Sequence, residues 1–154
     1  DTPSYFDDIP KYHKIIHETD MANNFQLYYK KYKKKLSKEM VSAIERGLKN
    51  SATEYAEAID FMKRSYDSYK EVFEDYHGVL TPASSGVAPK GLGNTGSPEF
   101  STVWTYLGLP SISLPLLTGK NDLPLGIQLI GDKHDDLRFL GVANWVEKNC
   151  KQND

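Results

Sequence analysis

Between Lys11 and Tyr76 the chain holds one glycine, Gly47, and no proline, whereas everything after His77 is punctuated by both. A helix interior loses about 1 kcal/mol to a glycine and about 3 kcal/mol to a proline relative to alanine. A long stretch without these breakers, rich in Lys, Glu, Ala and Tyr, therefore predicts helices and little else. The first is expected over His13 to Lys33, with Ile15, Ile16, Thr19, Ala22, Phe25 and Tyr29 on one face. A second is expected from Ser37 to about Leu48, burying Met40, Val41, Ile44 and Leu48. The third has the clearest start: Ser51-Ala52-Thr53-Glu54 is a capping box, in which Ser and Glu satisfy each other's free backbone amides. After it Tyr55, Ile59, Met62, Tyr66, Tyr69, Phe73 and Tyr76 recur in steps of four and three as one stripe over about six turns. Such a stripe serves either a coiled-coil seam or a face packed on a sheet or neighbouring helices. Four of the seven positions are Tyr, which favours the second.

The period changes at His77-Gly78. Val79-Leu80-Thr81, stopped by Pro82, reads as a short buried strand. Residues 84–97 carry Gly86, Pro89, Gly91, Gly93 and Gly96 and read as a loop needing unusual backbone angles. Ser97-Pro98-Glu99 looks like the N-cap, first position and acidic first turn of a helix that stops at Gly108. A strand at Ser111 to Leu116, a hairpin loop at Gly119 to Pro124 and a partner strand at Leu125 to Ile130 follow. Asp135 through Lys148 closes the chain as an amphipathic helix, with Leu137, Leu140, Val142, Trp145 and Val146 expected inward. The fold class is α/β, helices packed on a mixed sheet, and three strands are few for such a fold. One domain is expected over residues 1–154, mainly helical over 1–77, with strands, glycine-rich loop and helices over 78–154.

A formal net charge of -2 provides no field to attract nucleic acid or an anionic membrane. Cys150 is the single cysteine, so no internal disulfide framework or cysteine-based zinc site can form, and a reducing, cytoplasmic setting is the expectation. The N-terminus, Asp1-Thr2-Pro3-Ser4-Tyr5, has no basic and apolar leader, and no run of about 18 apolar residues occurs. The first residue is not Met, which is consistent with a processed fragment. The histidines His13, His17, His77 and His134 are scattered, and neither metal nor cofactor is implied.

Several stretches, in order, resemble the C-terminal part of the amidase signature family. They are Gly78-Val79-Leu80-Thr81-Pro82-Ala83, Ala88-Pro89, Thr95-Gly96, Trp104-Thr105, Leu107-Gly108-Leu109-Pro110, Leu114-Pro115, and the run from Leu123-Pro124 through Gln128 to Gly131. The helices around Glu18, Ser37 and Thr53 to Ala58 are similar to those that precede this strand in the family, so the likeness covers nearly the whole chain. The resemblance implies hydrolysis or transfer of amides by a Ser-Ser-Lys triad, in which a lysine activates a bridging serine and that serine activates the nucleophile. Those residues lie upstream in the family and have no counterpart here, so no catalytic residue is expected in this chain. It also implies a small-molecule amide substrate, an absent N-terminal amidase region as partner, and self-association through an incomplete sheet. The competing expectation is a stand-alone binding or regulatory module, or one half of a split enzyme.

Phe100 and Trp104 are one turn apart on the helix after the glycine loop and share a face. Core packing explains that pattern equally well. The resemblance favours substrate binding, because this segment is similar to the part of the family that lines the acyl-side pocket, and it adds Thr95 to the same wall. Ser84-Ser85-Gly86 lacks the small residues that flank the family's nucleophile and reads as a turn. Gly91-Leu92-Gly93-Asn94-Thr95-Gly96 has the G-x-G-x-x-G form, but its strand ends too far upstream and no acidic residue follows at the required spacing. Lys30-Lys31-Tyr32-Lys33-Lys34-Lys35 reads as a solvated helix end whose cations complement the helix dipole.

Overall fold

The computed structural model describes residues 3–150. Its contacts form two compact units, one up to Ser65 and one from Tyr66 onward.

The first unit is helical. A 3₁₀ turn at Ser4–Asp8 leads into α1 (Ile9–Asn24), α2 (Gln26–Tyr32) and α3 (Lys38–Gly47), and most of α4 (Ala52–Tyr69) belongs to it. The helix expected over His13 to Lys33 is thus two. It begins earlier, with Pro10 in its first turn, and breaks at Phe25. Asn23 and Asn24 are weak helix formers whose side chains compete for the backbone, and beyond the break Tyr29 donates its hydroxyl to Glu45 of α3 at 2.8 Å. Ser37 caps α3 by accepting from the Met40 amide at 3.2 Å. The buried position at the end of α3 is Gly47, not Leu48, which is exposed. There α3 crosses α1 so closely that a Cβ on residue 47 would fall on the Glu18 carbonyl. Beside that crossing Arg46 donates to the buried Glu18 carboxylate at 2.6 Å. Asn50 bridges the Ile15 carbonyl and the Thr19 hydroxyl.

The capping box of α4 is formed as its sequence predicts: the Ser51 amide donates to Glu54 at 2.7 Å and the Glu54 amide to the Ser51 hydroxyl at 3.1 Å. Within the first unit Tyr55 donates to Asp20 and Tyr12 to Glu57, while Tyr12 stacks on Phe61. The aromatic stripe does not run to Tyr76. The helix ends at Tyr69, a single turn α5 (Val72–Asp75) follows, and Tyr76 is extended and exposed.

The second unit holds the sheet. Strands β1 (Val79–Pro82), β2 (Ser111–Thr118) and β3 (Pro124–Ile130) lie in the order β1-β3-β2, with both pairings antiparallel. Hairpin β2–β3 turns through a 3₁₀ segment at Lys120–Asp122, closed by the Gly119 amide on the Leu123 carbonyl at 2.8 Å. Leu114 pairs with Ile127 but Leu117 with Leu125, so β2 carries one extra residue. That irregularity lies between Leu114 and Leu117, a stretch that includes Pro115, whose ring nitrogen has no hydrogen to give the ladder.

Helix α7 (Asp136–Cys150) covers one face of this sheet. Its buried residues are Phe139, Ala143 and Val146, which join Leu129, Leu114 and Leu116 with Ile112, Ile127 and Val142 around them. Val146 and Val142 are inward as expected, but Leu137 is 88% and Trp145 62% exposed, and Leu140 is also exposed. The helix is apolar on more than one side. The buried side is fixed by Phe139, whose ring fits against Gly131 with no room for a Cβ there.

Candidate functional site

The segment between β1 and α6 (Glu99–Leu107) is the glycine-rich stretch singled out by the sequence. It has no helix or strand and is mostly exposed, Leu92 fully so. Local bonds shape it. The Ser84 hydroxyl donates to the Gly86 carbonyl at 2.7 Å, and the Gly96 amide donates to the Asn94 side chain at 2.8 Å. Gly91 and Gly96 have φ of 99° and 95°, a region that side chains with a Cβ rarely occupy. Ser84 is therefore engaged in a loop turn, the role its sequence context predicts.

At the far end the loop feeds α6. The Ser97 hydroxyl accepts from the Glu99 amide at 3.3 Å, so Ser97 supports the first turn as expected, although the cap position itself is Pro98. The helix stops at Gly108 with φ of 68°, its amide and that of Leu109 closing on the Thr105 and Trp104 carbonyls. Phe100 is half-buried in the first turn. Trp104, one turn on, is 7% exposed and packs on Tyr69, ring centroids 5.7 Å apart. Thr95 is exposed in the loop. The structure therefore sets Phe100 and Trp104 on one helix and Thr95 on the loop that precedes it, and of the three Trp104 is the least accessible.

One residue here escaped the sequence reading. Gln128, in the middle of β3, is 4% exposed, and its side-chain amide donates to the Pro82 carbonyl at 3.0 Å and to the Phe100 carbonyl at 2.6 Å. The signal available was a lone amide side chain in the apolar run Leu125 to Ile130, because a buried polar group must find partners.

Two further features flank the sheet. Tyr66 donates to Asp132 at 2.9 Å, and the Lys133 ammonium sits 3.7 Å from the Tyr66 ring centre. Burial, then the Asp132 bond, pushes the Tyr66 hydroxyl up to about 12, while burial lowers Lys133. On the α7 side of β1 an open groove of about 630 Å³ is lined by Leu80, Leu129, Val142, Trp145 and Val146, with Arg138 and His77 at its border. Leu80 is 52% exposed there. Ala83 donates to Gly126, which fixes the alternation of the β1–β3 ladder and turns the Leu80 amide and carbonyl away from β3. Among the described residues no group of three or more His, Cys, Asp or Glu is placed to hold a metal ion. Among the same residues no helix is long and apolar enough to cross a membrane.

A family model described as Amidase matches residues 4–140. A glutamyl-tRNA(Gln) amidotransferase subunit of Alkaliphilus metalliredigens is 36% identical over 102 residues, covering 61% of this chain and 21% of that protein. Fatty acid amide hydrolase of Medicago truncatula is 31% identical over 112 residues, covering 65% of this chain and 18% of that protein. The chain thus spans about a fifth of the length of the curated relatives it matches. A solved amidase superposes on 95% of this chain and 36% of its own, with a TM-score of 0.85 and 18% identity, a likeness of fold. A solved glutamyl-tRNA(Gln) amidotransferase subunit of Thermotoga maritima matches 65% of this chain and 23% of its own, with a TM-score of 0.54 and 30% identity.

Proposed function

Since the chain belongs to the amidase family, we propose that it is the C-terminal portion of an enzyme that hydrolyses C–N amide bonds, with the catalytic residues outside these 154 residues. The observation that carries this reading is one of extent. The family match runs through nearly the whole chain, yet the superposed amidase is covered over only 36% of its length. In this reading a lysine and two serines of the remaining region form the Ser-Ser-Lys relay, and this chain supplies scaffold and pocket wall.

The glycine loop and the start of α6 then edge the acyl side of the substrate cleft. Thr95 and Phe100 meet a small-molecule amide from the loop and the first turn, and Trp104 completes the wall from within α6. No cofactor enters this chemistry. The groove beside β1 accommodates the rest of the amidase fold or, when that is absent, a second copy of the chain. A cytoplasmic setting suits the lone, exposed Cys150.

The decisive experiment incubates the chain by itself with a panel of aryl and alkyl amides, and in parallel with a serine-directed covalent label read by mass spectrometry. Neither turnover nor label is expected. Turnover accompanied by a label on Ser84 or Ser85 would overturn the proposal.

A further inference from the structure

We infer that Gln128 is the positioning residue of the glycine loop: one buried amide holds the two roots of the loop together. Pro82 is the last residue of β1 and Phe100 the second of α6, so the carbonyls that Gln128 grips bracket residues 83–99. Both partners are carbonyl oxygens and can only accept, so the NH₂ end of the side chain must face them, and its two hydrogens match the two bonds. A buried donor left without a partner is costly, which gives this orientation its force. The strand that carries Gln128 is held on both sides, by β1 and by β2, so the clamp is anchored in the most constrained strand of the sheet. Between the roots Val87 packs against Gly119 of the β2–β3 turn, while a Cβ on Gly86, Gly91 or Gly93 would meet nothing within 4 Å, so most of the loop's glycines lie in open space. The separation of the roots, and with it where Thr95 and Phe100 are presented, is therefore set from underneath. That this matters for substrate rests on the loop bordering the cleft. The clamp itself does not.

The test is amide hydrogen exchange on the purified chain, which needs no activity and so can fail separately from the amidase reading. The reporters are Ala83, bonded to the Gly126 carbonyl, and Ser101 and Thr102, bonded to the Pro98 carbonyl. Amides of the β2–β3 ladder, such as Ile112 and Leu129, serve as the internal reference. Gln128→Met keeps the shape and removes both donors. Protection at the reporters is expected to fall about tenfold, the scale of one lost hydrogen bond, with the ladder unchanged. Gln128→Glu adds a chemical readout. Ionised, it aims a carboxylate at two carbonyl oxygens and loosens both roots; protonated at acid pH, its single O–H restores one of them relative to the ladder. Unchanged reporters, a loss equal at reporters and ladder, or no recovery of Gln128→Glu on acidification would each overturn the assignment and leave Gln128 a core amide without a positioning role.

Discussion

Ser51 and Glu54 satisfy each other's amides at the start of α4. Ser51→Ala should therefore lower the unfolding free energy by about 1 kcal/mol, as loss of a helix N-cap does, measured by urea titration. The Glu54 carboxyl lies below its usual value of 4.5 because the Ser51 amide, and after it the Ser51 hydroxyl, donates to it. A depressed folded value means that this contribution is complete above the unfolded value and is lost as pH falls through the lowered one. Glu54→Gln is expected to flatten the fall of stability on acidification between the unfolded value and the lowered one. Equal slopes for the two proteins would show that the box contributes nothing through its charge. This pair was fully readable in the sequence, because a capping box is a contact between residues three apart. Gln128 was not: its partners lie 46 and 28 residues away, and no local pattern announces a contact of that reach.

Among elements, β3 carries the second unit. It is the central strand, and Leu129 is almost completely buried against Phe139 and Ala143, whereas its cross-strand neighbour Leu80 is half open to solvent on the edge. Leu129→Ala should cost about 3 kcal/mol and Leu80→Ala less than about 1 kcal/mol. Comparable losses in thermal or urea unfolding would contradict this division of labour. The elements themselves were largely legible: the stop of α6 at Gly108, the β2–β3 hairpin and the short β1 follow from turn chemistry and capping. What periodicity could not supply was the choice between faces. In α7, Leu137, Leu140 and Trp145 compete with Phe139, Ala143 and Val146 for the sheet, and the winner is set by the notch at Gly131, a tertiary fact. The same limit applies to α6, where spacing put Phe100 and Trp104 on one helix but gave no sign that Trp104 is packed on Tyr69. The break at Phe25 and the early end of the Tyr stripe were missed because an apolar pattern continues across a bend as readily as through a helix.

At the scale of the molecule, the second unit leaves Trp145 and Leu80 beside an open apolar groove, and among the described residues no strand pairs with the outer side of β1 at Leu80. Exposed apolar surface next to free backbone donors and acceptors favours association. Sedimentation velocity should show average mass rising with concentration, and Trp145→Glu, placed on an already exposed position, should suppress the rise while leaving the circular dichroism spectrum unchanged. A monomer at every concentration would mean that the groove recruits no second copy. The amide clamp has a different kind of consequence. It recognises main-chain oxygens, which every amino acid carries whatever its side chain. The clamp therefore asks nothing of the side chains at Pro82 and Phe100, and a substitution at Phe100 that keeps the backbone in place leaves both bonds available.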